Sequence, residues 1–278
     1  MDDDWIQRAQ GDLVTRPVVM WTAGLYDELP EFIDHTIVDI ATGLGRNGWG
    51  AALLMRDVSG CMVSVEKGTI PLDQHARFID HMAKLHAHFW GFRDTYGLMP
   101  RGNLYLMFSS LMTDYEAGHG GPGGVPDMAG AGWERMADLA PGLAEIVFPL
   151  LRDPWPLVDA QAAGPQTLVH SDWKAGNLGS HDDGRTILLD WAFPSEAPGT
   201  ADLGWYLAVN CDLLPHSKEE TIALYKESLE REGIQTTGWW EAQLELALLA
   251  QVVLLGWSKT GDELAWWEER VPRALRFL

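Results

Sequence analysis

Cysteine is all but missing from this chain. Only Cys61 and Cys211 occur, and no C-x-x-C pair exists, so neither a disulfide framework nor a thiolate zinc site is expected. A reducing cytoplasm fits that usage and is the expected location. Positive charge is equally thin. Twenty Lys plus Arg stand against 40 Asp plus Glu, for a net charge of −20. That balance speaks against nucleic acid or an anionic membrane as the main partner and mildly favours a cationic substrate, with plain solubility as the alternative. Long apolar runs are absent too. The longest, Leu246 to Trp257, is about a dozen residues with Gln251 inside it, too short to cross a bilayer. The opening MDDDWIQRAQGD is acidic where a secretory leader is basic and then apolar, so no leader is expected. No internal repeat is visible.

What is present suffices for a sizeable core. Hydrophobic residues make up 46% of 278, with 14 tryptophans, enough for one large domain or two modest lobes. Residues 35–59 hold two β-branched or apolar runs around a Gly/Asn turn and predict a hairpin. In 73–91, Phe78, Met82, Leu85 and Phe89 recur at helical spacing, with Asp73 as the expected N-cap. Residues 115–132 read as a Gly/Pro loop, followed by a helix from Trp133 to Leu151. Two short strands are expected at 166–170 and 186–190. Beyond Ser217 the pattern is helical, opened by a Ser217/Glu220 capping box and including a long buried segment, 238–257.

Two stretches match G-x-G-x-x-G, at 43–48 and 118–123. A dinucleotide site needs that pattern between a strand and a helix, which neither provides. Both read as turns, the first keeping a kinase-type phosphate loop as the alternative. His75, His81, His86 and His88 share one helix, but no two are four residues apart and no H-E-x-x-H occurs. They read as core or surface groups rather than metal ligands.

The polar cluster that asks for a function is LVHSDWKAGNLGS, 168–180. Asp172 follows a strand end, where a carboxylate projects into a cleft while staying anchored. Asn177 returns to the same cleft if the loop is tight, and Gly176 eases the turn. Asp190 closes the next apolar strand, and pairing of the two strands would bring it near Asn177. One amide oxygen plus one carboxylate suits Mg²⁺, which keeps several waters and takes few protein ligands beside phosphates. A second carboxylate, Asp172, stands apart to accept or orient a hydroxyl proton. Phosphoryl transfer asks for that division of labour. The alternative is that Asp172 and Asn177 only cap a turn and Asp190 only ends a strand.

HSDWKAGN, followed thirteen residues after Asn177 by Asp190 and Trp191, resembles the H-x-D-x-x-x-x-N … D motif of the aminoglycoside phosphotransferase and choline kinase family. LLMRDVS (53–59) resembles that family's linker, MAKLHAHFWG (82–91) its first large-lobe helix, and TADLGWYLA (200–208) the segment after its metal aspartate. The resemblance implies an α+β, protein-kinase-like two-lobe fold. A reduced β-containing N-terminal lobe, a helix plus a hairpin, would span 1–56 and a mainly helical C-terminal lobe 57–278. It implies Asp172 as the catalytic aspartate, Asn177 and Asp190 as the Mg²⁺ and nucleotide ligands, and ATP or GTP as donor. His170 would brace the loop and Asp202 hold it from the next helix. Lys174 stands where protein kinases carry a lysine that neutralises the transferred phosphate, and Ser171 replaces the commoner glycine. Only about a dozen residues separate Asp190 from Asp202 and no A-P-E follows, leaving no room for a protein kinase's activation segment. The acceptor is therefore expected to be a small-molecule hydroxyl: an aminoglycoside, an amino-alcohol or a sugar-like compound. Glu219, Glu241, Glu245, Trp239, Trp240, Trp266 and Trp267 would either receive its amine or serve as surface charge and core aromatics.

One part of the pattern is missing. A kinase-like small lobe has about three strands before its first helix, with a phosphate-covering loop and a lysine paired to a helix glutamate. If residues 15–30 are that helix, the strands are absent, and Pro17 holds the glutamate position unless Glu28 or Glu31 serves under a shifted register. Three readings stay open: a start downstream of a longer protein's beginning, nucleotide binding through the large lobe, metal and Lys174, or a binding or scaffold module without catalysis. The hairpin's bare edge also asks for cover, by residues 1–14 or by a second copy in a homodimer.

Overall fold

The computed structural model describes residues 5–12, 14–64, 68–119 and 124–278. It is α+β. In chain order come α1 (Trp5–Gln10), α2 (Arg16–Thr22), β1 (Ile33–Asp34), the hairpin β2 (Ile37–Leu44) and β3 (Gly50–Met55), and α3 (Leu72–His88). Helices α4 (Arg101–Leu106), α5 (Ser110–Gly118), α6 (Val125–Leu139), α7 (Pro141–Arg152) and α8 (Trp155–Ala162) come next. Then come β4 (Thr167–Val169), β5 (Leu178–Ser180), β6 (Thr186–Leu188) and β7 (Ser195–Ala197). The chain ends in α9 (Thr200–Val209), α10 (Lys218–Arg231), α11 (Trp240–Leu255) and α12 (Gly261–Arg270). Among the described residues no helix is long and apolar enough to cross a membrane.

Two compact units form. One takes in the described residues among 1–13, 99–166 and 237–278; the other holds 14–98 and 167–236. The boundary expected near residue 56 falls inside the second.

The first unit is helical and built around α11, whose residues from Gln243 to Leu255 are all buried. A helix apolar on every side must be covered on every side, and α4, α7 and α8 pack against it. α1 packs on α4, and its Arg8 pairs with the buried Glu116 at 2.6 Å. The helix expected from Trp133 to Leu151 is two helices. Pro141 has no N–H to continue α6 and forces Ala140 out of the helical region, so α7 starts afresh. Residues 115–118 end α5 and 125–132 begin α6 instead of forming one loop. Most of the glycine pattern at 118–123 lies outside the described residues. Gly132 lets α6 approach the Trp257 carbonyl so closely that a Cβ would collide with it.

In the second unit, α3 buries Phe78, Ile79, Met82 and Leu85 and packs on α10, which buries Ile222, Tyr225 and Leu229. Each such side chain contributes on the order of 1.5–3 kcal/mol by leaving water. The capping box is present: Ser217 Oγ accepts from Glu220 N and Glu220 Oε2 accepts from Ser217 N. α3 is capped otherwise than expected. Its N-cap is Pro71, and Asp73 lies in the first turn, where a carboxylate still favours the helix dipole. The expected first helix, 15–30, is only the seven residues of α2, which buries Arg16 and Met20; Glu28 and Glu31 are exposed. The glycines of 43–48 form the turn between β2 and β3, with Gly43, Gly45 and Gly48 at positive φ.

Among the described residues three small sheets complete this unit: β1–β6–β5 with β1 parallel to β6, the β2–β3 hairpin, and antiparallel β4–β7. β4 and β6 do not pair, contrary to expectation. β4 turns to β7, and β5, a short strand without a β pattern in its sequence, pairs with β6.

Candidate active site

β4 carries the chain into a buried turn at His170, where it must change direction sharply. Ser171 takes φ +64°, a left-handed conformation that costs a non-glycine residue. Asp202, fully buried near the start of α9, holds that turn: its Oδ2 accepts from His170 N at 2.8 Å and its Oδ1 from Ser171 N at 2.7 Å. His86 of α3 supplies the third partner, Nε2 to Asp202 Oδ2 at 3.1 Å, and its Nδ1 meets the Tyr225 hydroxyl at 2.7 Å. Burial alone would raise the Asp202 carboxyl. The His86 hydrogen bond and charge, with the His170 ring and N–H, hold it below the ordinary carboxylate value instead.

His170 braces the loop from inside. The tautomer protonated at Nε2 satisfies both its contacts, donating to Leu189 O at 2.9 Å while Nδ1 accepts from Asp172 N at 3.2 Å. Burial lowers its pKa to about 4 against the pull of Asp202 and Asp190, so the ring is neutral. Its side chain touches backbone and the Trp191 ring, 4.7 Å away, and has no route to solvent.

Asp172 is 1% exposed, and each of its oxygens accepts at least one hydrogen bond. Lys174 Nζ donates to Oδ2 at 2.6 Å, Asn177 Nδ2 to the same oxygen at 2.9 Å, and Trp205 Nε1 to Oδ1 at 3.0 Å. Burial pushes the carboxyl up to about 6; Lys174 opposes the rise and Asp190 adds to it. A carboxyl poised there is suited to exchanging a proton near neutrality. The loop is pinned once more where Ala175 N donates to Asn210 Oδ1 at 2.8 Å.

The third element is the β5–β6 pair. Leu178 faces Leu188, and Leu189 N donates to Asn177 O at 2.9 Å. This register, rather than a β4–β6 pairing, brings Asn177 beside the chain that leads into Asp190. Asn177 aims its amide nitrogen at Asp172, giving to Oδ2 and to the backbone oxygen at 3.0 Å. Its Oδ1 therefore faces away from Asp172, with no protein partner among the described residues. Asp190 is exposed, sits at φ +60°, and its carboxylate likewise has no hydrogen bond or ion pair among the described residues. A free amide oxygen just before β5 and a free carboxylate just after β6 are hard donors that fit a hydrated Mg²⁺. Among the described residues no group of three or more His, Cys, Asp or Glu could hold a metal.

Several residues marked by their sequence fall elsewhere. Glu245 is nearly buried against Arg270 at 2.9 Å, Glu241 pairs with Arg276, and the fully buried Trp267 donates to Glu263. They serve the helical unit. Conversely, the motif does not point to Trp205, Asn210, His86 or Tyr225, though Trp205 lies three residues beyond Asp202, one helical turn along the same face.

No family model matches the chain, and no curated protein matches it. Among solved structures it is similar to choline kinase LicA from Streptococcus pneumoniae, 13% identical, over 94% of this chain and 77% of that one, with a TM-score of 0.41. It is similar to a microcompartment-associated aminopropanol kinase, 14% identical over 95% and 79%, TM-score 0.48. A macrolide 2′-phosphotransferase type I gives 14% over 92% and 78%, TM-score 0.41. These are two kinases and a phosphotransferase of the family that the central motif resembles.

Proposed function

We propose that this chain is a small-molecule kinase, moving the γ-phosphate of a nucleoside triphosphate to a hydroxyl of its acceptor. The observation that supports it is the division of oxygens: Asp172 is buried and fully oriented, while Asn177 Oδ1 and Asp190 beside it are left free. In this reading Asp172 receives the hydroxyl proton, which Lys174, Asn177 and Trp205 orient it to do. Asn177 and Asp190 would hold Mg²⁺, which when bound neutralises phosphate charge. Lys174, on the solvent side of Asp172, carries a positive charge toward the transferred group. His170 and Asp202 keep the loop in its strained turn. An overall charge of −20 favours an acceptor bearing an amine or quaternary ammonium.

One observation favours a second reading, a kinase-like binding module without turnover. The β2–β3 hairpin is only two strands and contains no lysine to meet a nucleotide's phosphates. Calorimetric titration of ATP and GTP with and without Mg²⁺ separates the two. The kinase reading expects Mg²⁺-dependent binding that Asp190→Ala abolishes; binding that ignores both the metal and that substitution would contradict it.

A further inference from the structure

Trp205 reaches the proposed proton acceptor and donates to one of its two oxygens. The indole Nε1–H donates to Asp172 Oδ1 at 3.0 Å from α9, and the side chain is otherwise packed away, 8% exposed. The other oxygen is full, since Oδ2 accepts from Lys174 at 2.6 Å and from Asn177 at 2.9 Å. An ionised carboxylate offers about four acceptor sites, two per oxygen. Three are taken by described residues. The one left is on Oδ1, beside the indole.

We infer that Trp205 is a positioning residue that fixes Oδ1 of Asp172 as the atom taking up the acceptor's proton. The inference rests on the phosphotransferase reading. In that step the acceptor's O–H bond breaks and its proton passes to Oδ1. The acceptor oxygen bonds to the γ-phosphorus as the bond from that phosphorus to its bridging oxygen breaks, releasing the nucleoside diphosphate. Trp205 acts only through Asp172. Without the indole N–H, the carboxylate is held from one side alone and can rotate about its Cβ–Cγ bond, presenting Oδ1 off line.

Trp205→Phe keeps most of the ring and deletes the donor. It should lower kcat roughly tenfold or more, the worth of one hydrogen bond to a charged group, with KM for nucleotide and acceptor nearly unchanged. In an Asp172→Asn background the same substitution should change the residual rate by less than about twofold, because the partner it acts through is already gone. The independent readout is the set of indole N–H resonances in a ¹H–¹⁵N spectrum. The one lost in Trp205→Phe belongs to Trp205, and it should move in Asp172→Ala. An unchanged kcat, equal losses in both backgrounds, or a Trp205 resonance indifferent to Asp172→Ala each overturns the inference. Should Trp205→Phe fail to fold, the next comparison uses Trp205→His, which keeps a ring donor: partial retention of kcat supports the inference, and a loss as deep as that of Trp205→Leu overturns it. A wild type that phosphorylates no acceptor removes the phosphotransferase reading and this inference with it. A wild type that turns over while Trp205→Phe matches it removes this inference alone.

Discussion

The Asp172 carboxyl is set by opposing effects within a few ångströms. Burial raises its carboxyl to about 6, and Lys174 restrains the rise. Asp172→Asn removes the acceptor while keeping its shape, and should cut phosphoryl transfer by roughly 10²–10⁴-fold with little change in melting temperature. The working form is the ionised one, so the rate should be full above the folded pKa and fall as pH drops through about 6. Lys174→Met takes away a charge that favours the ionised form, so the acid limb of the pH–rate profile should move to higher pH. A limb that stays put in Lys174→Met would show that some other group titrates there.

At the scale of elements, the loop is held by α9 rather than by its own strand. Asp202 grips the turn at His170 and Ser171, and Asn210 grips Ala175. Asp202→Ala would strand two buried backbone N–H groups and the buried His86, and a loss on the order of 3–5 kcal/mol is expected in urea unfolding. The hairpin is the opposite case. Among the described residues β2–β3 pairs with no third strand, and Val38, Leu44, Trp49 and Leu54 are exposed, so its amides should exchange with deuterium far faster than those of β5–β6. Protection equal to that of β5–β6 would mean something covers it. The sequence made the central loop legible because its polar residues are local and closely spaced, and the hairpin because its turn glycines lie between β-branched runs. The strand pairing was not legible: β5 is Leu-Gly-Ser, three residues with no β signature, fixed by its register with β6. Pro141 did carry the signal for the α6–α7 break, but the apolar periodicity running across it reads as one helix. Trp205 was hidden among 14 tryptophans, and only the helix phase of α9 distinguishes it.

At the scale of the whole molecule, buried histidines make stability sensitive to acid. His75, His81 and His170 have folded pKa values near 4, lowered chiefly by burial from 6.5. Each is neutral when folded, whereas the unfolded chain takes up protons below about 6.5. Stability should therefore decline as pH falls from about 6.5 toward 4, visible as a lower urea midpoint at pH 5 than at pH 7. An unchanged midpoint would mean these rings stay open to protonation in the folded chain. The central question for this molecule is whether the buried carboxylate and its free-oxygen neighbours perform phosphoryl transfer. The direct test follows ATP and Mg²⁺ by ³¹P NMR with choline, aminopropanol, an aminoglycoside and a macrolide as acceptors, comparing wild type with Asp172→Asn. The expected result is a phosphomonoester signal that grows in the wild type with at least one acceptor and is nearly absent in the variant. Growth at the same rate in both, or none with any acceptor while Mg²⁺ and ATP bind, would contradict it.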